Sequence, residues 1–235
     1  MVLETRREPK FFTSDTARAT HEFRTPLHAI MASVQLLLDA SSEELHDVSR
    51  AHVERIGRAA CHLAELVETL LAFAGIEAGA DPIRLVNFDL SELVERVNAV
   101  AIPLCEEKGI EYVPAVAAPQ RLRGDARKLV QVLINLLGNA VRYTDHGQVS
   151  FSVLHAELGT WFQVADTGIG MDDDEVMRIS TPFWRSERAQ PGGTGLGMSI
   201  VQQYVEMMGG VLEIASRVNE GTIVRLFIPN SAEVS

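Results

Sequence analysis

Residues 75–85, "GIEAGADPIRL", divide the chain into two parts with different apolar periods. Upstream, residues 11–79 are glycine-poor and step at helical intervals. Phe23, Leu27, Ile30, Val34 and Leu37 recur every four and three residues, as do Ile56, Ala59, Leu63, Leu66, Leu70 and Phe73. Each run is a heptad seam, and the polar stretch "DASSEELHD" (39–47) between them reads as a turn. The two helices form a hairpin whose apolar stripe needs further partners, and a dimer making a four-helix bundle is the economical way to bury it. Downstream the texture changes to glycine, proline and alternating apolar residues. Strands are expected near 83–87, 110–114, 120–123, 148–154 and 161–165. Helices are expected over 89–108, 125–143 and about 195–208, with a glycine-rich loop running up to 194. The end, "GVLEIASRVNEGTIVRLFIP" (210–229), reads as two strands around "NEG". Mixed strands with helices on one face make an α/β sandwich. The expected fold is therefore an α-helical hairpin (dimeric four-helix bundle) over residues 1–80, followed by an α/β sandwich over 81–235.

The chain has 235 residues and is 46% hydrophobic, which supports a real core. A net charge of -11 with no basic stripe argues against nucleic acid, since nothing offsets phosphate repulsion. Cys61 and Cys105 are far apart and show no metal spacing, so both read as buried thiols of a reducing compartment. No apolar run approaches the roughly 18 residues of a membrane span, and "MVLETRREPKFF" at the start has no hydrophobic signal-peptide core. These residues are expected to be soluble and cytoplasmic, attached to a membrane only through a segment outside them.

Five motifs carry candidate chemistry. In "HEFRTP" (21–26), Pro26 cannot donate to the Glu22 carbonyl, so it loosens the helical turn that holds His21. With Leu27 and Val34 at heptad a and Phe23 and Ile30 at d, His21 falls at b and faces water, with His28 on the same stripe. In "NLLGNAVRY" (135–143), Asn135 and Asn139 are spaced i, i+4 on one helix face. Their carboxamide oxygens suit a hard cation such as Mg2+, and Arg142 follows on the adjacent face. In "DTGIGM" (166–171), Asp166 ends a strand and can accept a hydrogen bond from an exocyclic amine, while Gly168 and Gly170 let the backbone turn tightly. "TPFWRSERAQPGG" (181–193) reads as a polar, flexible lid bearing Phe183, Arg185 and Arg188. In "GGTGLGMSIV" (192–201), Gly193, Gly195 and Gly197 open a helix whose N–H groups can cradle phosphate. Taken singly, the last four patches are also compatible with surface asparagines, ordinary turns or a solvated loop.

Their order is more specific. Asn-x3-Asn, then DxGxG, then a Phe-bearing lid, then GxGxG resembles the N, G1, F and G2 boxes of the sensor histidine kinase catalytic domain. "HEFRTP" resembles that family's H box, and the likeness runs from about residue 13 to 229. The resemblance implies a Bergerat-type ATP-binding fold that transfers the γ-phosphoryl group of ATP to His21. The group then passes to an aspartate on a response-regulator receiver domain. It implies a homodimer through the helical hairpin. It assigns Glu22 to orienting or deprotonating the imidazole, Thr25 to placing a water for regulator dephosphorylation, and Pro26 to the bend that serves two partners. It places Mg2+ on Asn139 with Asn135, adenine on Asp166, and the pocket wall on Gly168 and Gly170. Arg142 and Tyr143 flank the nucleotide, and Gly193, Thr194, Gly195, Leu196 and Gly197 wrap its phosphates. Of the lid arginines, Arg185 is the expected catalytic one. Arg142 stands where many members carry lysine, and the lid is short.

DNA gyrase and the heat-shock chaperone ATPases share this ATP fold, but their pattern has a glutamate as general base four residues before the Mg2+ asparagine. Here that residue is Asn135, which cannot take a proton. An anti-sigma-factor kinase lacks a helical hairpin with an H box. A degenerate scaffold that docks a partner without ATP would have lost an asparagine, Asp166 or the glycines, and none is lost.

Overall fold

The computed structural model describes residues 27–34, 36–37, 45–116, 121–188 and 194–230, and His21, Glu22, Thr25, Pro26 and Gly193 lie outside this set. The chain forms two compact units that divide at Leu71 and Ala72, with Thr194 grouped with the first. In the first, α1 is helical over 27–34 and 36–37, and α2 spans Leu45–Glu77, extending into the second unit. Helix α2 begins three residues inside the stretch read as a turn. Along it the stepped residues form the protected stripe: Leu66 is buried, and Ile56, Ala59, Leu63 and Leu70 are half-buried. On α1 the a-position residues Leu27 and Val34 stay exposed, with Met31 and Leu36 beside them.

The second unit adds β1 (Val86–Asp89), α3 (Leu90–Lys108), β2 (Glu111–Val116), β3 (Arg121–Gly124) and α4 (Ala126–Tyr143). These are followed by β4 (Gln148–Ala156), β5 (Gly159–Asp166), α5 (Asp173–Arg178), α6 (Gly197–Met207), β6 (Val211–Arg217) and β7 (Gly221–Pro229). Strands β1 and β3 form a small antiparallel ribbon, while the main sheet has the order β2-β4-β5-β7-β6. Among the described residues, only β2–β4 is parallel in that sheet. Alternation sets its two faces: Val149, Phe151, Val153, Phe162, Val164, Val224 and Leu226 are buried. Helix α4 packs on α3, α6, β4 and β5, and contributes Leu129, Val132, Leu133, Leu136 and Leu137 to the core. Cys105 is buried there too; the Cys61 side chain lies outside the described set. No helix among the described residues is long and apolar enough to cross a membrane.

Two expectations need correction. The first strand lies at 86–89 rather than 83–87, because the Arg84 N–H donates to the Asp125 carboxylate (2.9 Å) and holds that residue outside the ribbon. The stretch up to 194 is not all loop. It contains α5, closed by a capping box in which Asp172 accepts from the Glu175 N–H and Glu175 accepts from the Asp172 N–H.

Candidate functional site

Helix α4 is fixed at both ends. Asp125 caps its start, accepting from the Lys128 N–H at 3.1 Å. At its end, Lys108 of α3 donates to the carbonyls of Val141 (2.9 Å) and Arg142 (2.8 Å) and pairs with Asp145 (3.2 Å). That supplies partners and a positive charge where a helix leaves carbonyls unpaired. Between these ends Asn135 and Asn139 share one face and are half-buried. Neither carboxamide has a hydrogen-bond partner among the described residues. Arg142 and Tyr143 follow, both half-buried.

Strand β5 delivers Asp166 to this end of α4. Its Oδ1 accepts from the N–H groups of Gly168 (2.9 Å) and Thr222 (3.2 Å), tying the strand end to β7. Burial pushes its carboxyl above the usual aspartate value, and the two N–H donors oppose that shift. Oδ2 takes no part in those bonds. At Gly168 a Cβ would lie 2.2 Å from the Tyr143 carbonyl oxygen, so only glycine lets this turn close on α4. The Ile169 N–H donates to the same carbonyl at 3.1 Å. Gly170 packs against the Arg217 carbonyl, which joins the turn to the β6–β7 hairpin as well.

The lid departs from its expected form. Phe183, read as part of a flexible loop, is buried, and its ring meets Phe73 edge-on with centroids 5.9 Å apart. Its N–H donates to the Gly195 carbonyl at 3.0 Å, and Gly195 packs on the backbone of Phe183 and Trp184. Arg188 is ion-paired with Glu175 of α5, which also accepts from Ser186. Burial raises the Glu175 carboxyl, but these donors outweigh it and hold it below the usual range. Arg185 is half-buried, as are Thr194 and Gly195, and Leu196 is buried. Helix α6 opens at Gly197 with no side-chain capping bond from Leu196, and a helix start is where backbone N–H groups point outward toward an anion.

Helices α4 and α6 pack on each other, and their ends identify their sense. Asp125 and Leu129 at the start of α4 line a cavity of about 400 Å³ together with Met207 and Met208 at the end of α6. The helices are therefore antiparallel, and Gly197 lies toward the Asn139 end of α4. A carboxylate at a strand end, two carboxamides with no hydrogen-bond partner among the described residues and a helix N-terminus suit an amine-bearing base, a hard cation and phosphates in turn. The Thr222 N–H, Phe73 and α5 were missed by sequence reasoning, and only Phe73 had a signal there, as the last step of a heptad seam.

Two family descriptions match in tandem. Residues 16–79 match the His Kinase A (phospho-acceptor) domain, and residues 124–232 match the histidine kinase-, DNA gyrase B-, and HSP90-like ATPase. The chain belongs to the sensor histidine kinases. It is 33% identical to the autoinducer 2 sensor kinase/phosphatase LuxQ of Vibrio cholerae over 91% of its length, but spans only 26% of LuxQ. Among solved structures, full-length ShkA in complex with AMPPNP superposes with a TM-score of 0.67 at 31% identity, covering 92% of this chain and 46% of ShkA. The histidine kinase ThkA in complex with the response regulator TrrA gives 0.64 at 20% identity, covering 94% of this chain and 62% of that one, a likeness of fold. This kinase core thus joins a helical phosphoacceptor region to an α/β ATPase-type domain.

Proposed function

We propose that this chain binds ATP with Mg2+ between α4, β5 and α6, transfers the γ-phosphoryl group to His21, and passes it to an aspartate of a response-regulator receiver domain. One observation carries the reading: a phosphoacceptor match containing "HEFRTP" precedes an ATPase match in which Asn135, not a carboxylate, stands four residues before Asn139. Water activation lacks its base, and transfer to a side chain is favoured. The His21 imidazole attacks the γ-phosphorus. An N–P bond forms as the bond to the β-phosphate oxygen breaks, ADP departs, and the imidazole proton passes to Glu22. Asp166 accepts from the adenine amine through Oδ2. Gly193, Thr194, Gly195, Leu196 and Gly197 hold the phosphates at the start of α6, and Arg142 and Tyr143 flank them. The carboxamide oxygens of Asn139 and Asn135 fit Mg2+, which when bound neutralises charge on the phosphates. Arg185, half-buried in the lid, is the lid cation.

Exposed Leu27 (48%) and Val34 (40%) on α1 support a homodimer through the hairpin. Thr25 and the kinase/phosphatase description of LuxQ support regulator dephosphorylation as a second activity. The ThkA–TrrA complex supports a receiver domain as partner.

Incubation with γ-labelled ATP and Mg2+ tests the reading. The expected result is a protein-bound label that is lost in acid, survives base, and is missing from His21→Gln and Asn139→Ala. Steady release of inorganic phosphate without bound label would overturn it.

The glycines separate packing from ligand binding. A Cβ on Gly197 meets nothing within 4 Å. Gly197→Ala is expected to keep or raise Tm, since alanine favours a helix by up to about 1 kcal/mol, yet to weaken ATP binding roughly tenfold by crowding the phosphates. Gly168→Ala should instead lose about 2–3 kcal/mol of stability, because the clash is with backbone. Thermal melts and ATP calorimetry on both variants check the contrast.

A further inference from the structure

The segment that leaves α2 is fastened to the ATPase-type domain by a cluster that the reaction above does not use. Helix α2 ends at Glu77 and Gly79 turns left-handed, with the Ala78, Gly79 and Ala80 N–H groups donating back to Ala74, Ile76 and Gly75. Asp81 follows. Its Oδ1 accepts from Arg127 (2.5 Å), and its Oδ2 pairs with Lys128 and accepts from the Tyr204 hydroxyl (3.2 Å). The Lys128 ammonium also donates to the Asp81 carbonyl (3.1 Å) and lies 4.6 Å from the centre of the Tyr204 ring. Lys128 is 1% exposed, so its charge depends on these partners.

Lys128 and Tyr204 sit at matched places on two antiparallel helices. Seven residues beyond Lys128 on α4 is Asn135, and Asn139 is eleven beyond, both nearly on the same face at 3.6 residues per turn. Seven residues back from Tyr204 on α6 is Gly197, again on the same face. The bond between Lys128, Asp81 and Tyr204 therefore sets how far α4 and α6 slide past each other, about 10 Å from Asn135 and the α6 N-terminus and about 16 Å from Asn139. We propose that Asp81 is a positioning residue for phosphoryl transfer, holding Lys128 and Tyr204 together so that Asn135, Asn139 and the start of α6 meet the same triphosphate. This rests on the ATP site proposed above.

The register matters to ligand parts that span both helices. Adenine is read from β5 and its turn, which the cluster does not touch, whereas phosphates and cation need α4 and α6 together. The test uses the full chain as wild type, Asp81→Asn, Asp81→Glu and the pair Asp81→Asn with Lys128→Met. The last removes both charges, so no buried ammonium is left alone to unfold the domain. Affinities for Mg·ATP and for adenosine are measured well below each variant's Tm. Mg·ATP affinity should fall roughly tenfold or more in Asp81→Asn and in the paired variant. Adenosine affinity should stay within about twofold, and Asp81→Glu should recover most of the loss. Equal loss of both ligands, or unchanged Mg·ATP affinity in the paired variant, would overturn the positioning role. Wild-type chain that binds no Mg·ATP would overturn the site itself; wild-type binding with indifferent variants would overturn only the role of Asp81.

Discussion

Replacing Asp166 by asparagine should lower adenine-nucleotide affinity roughly a hundredfold while leaving Tm almost unchanged. The asymmetry follows from the two carboxylate oxygens. Oδ1 accepts from Gly168 and Thr222, and an asparagine Oδ1 accepts from the same donors in the same place. The tie between β5 and β7 survives. Oδ2 becomes an NH2 group, so a donor would face the donor amine of adenine. The loss combines a hydrogen bond to a charged acceptor with an unsatisfied donor pair, about 3 kcal/mol together. Asp166→Ala should weaken binding similarly and also lose stability, because both N–H groups then lack a partner. Calorimetry with ATP and thermal melts of the two variants provide the check. Asparagine that binds as well as wild type would remove Asp166 from the adenine contact.

The parts of this fold legible in sequence are those governed by local chemistry. Helix α4 was expected over 125–143 and spans 126–143, because its apolar period is strong and Asp125 is a capping residue. The "NEG" hairpin formed as read, with Asn219 and Gly221 in the positive-φ conformations such a turn needs. Misreadings occur where a distant partner decides. The Arg84 N–H is claimed by Asp125, 41 residues away, which moves the first strand along the chain. Helix α5 has six residues and none buried, so no apolar period announces it; a capping box makes it. The lid read as polar and flexible, yet Phe183 is held by Phe73 from 110 residues upstream. The candidate residues stand out in sequence as residue types in order, since each motif is short and self-contained. The Thr222 N–H on Asp166 was not, because backbone donors leave no mark in a sequence.

Lys128 carries no local mark in the sequence, and its partner Asp81 should dominate stability. Nothing in "DARKLV" distinguishes Lys128 from its exposed neighbour Arg127, yet its side chain is 1% exposed against 61% for Arg127. Asp81→Ala should cost about 3 kcal/mol, since losing one member of a buried ion pair leaves the other charge uncompensated. For a chain of this size that is a Tm loss of roughly 10 °C. Asp81→Ala combined with Lys128→Met should recover most of it, because methionine fills similar volume without a charge. Equal losses in the single and paired variants would show that the pair itself, and not the stranded ammonium, sets the cost. Acid supplies a second check with a fixed sign. Burial raises the Asp81 carboxyl, but hydrogen bonds and charge from Lys128 and Arg127 outweigh it and hold it below the usual aspartate value. A carboxyl depressed in the folded state stabilises fully above its unfolded pKa of about 4, and loses that contribution as pH falls through the folded value. The stability gap between wild type and Asp81→Ala should therefore be constant near neutrality and close below about pH 4. A gap that persisted into strong acid would mean that Asp81 acts there by packing and not by its charge.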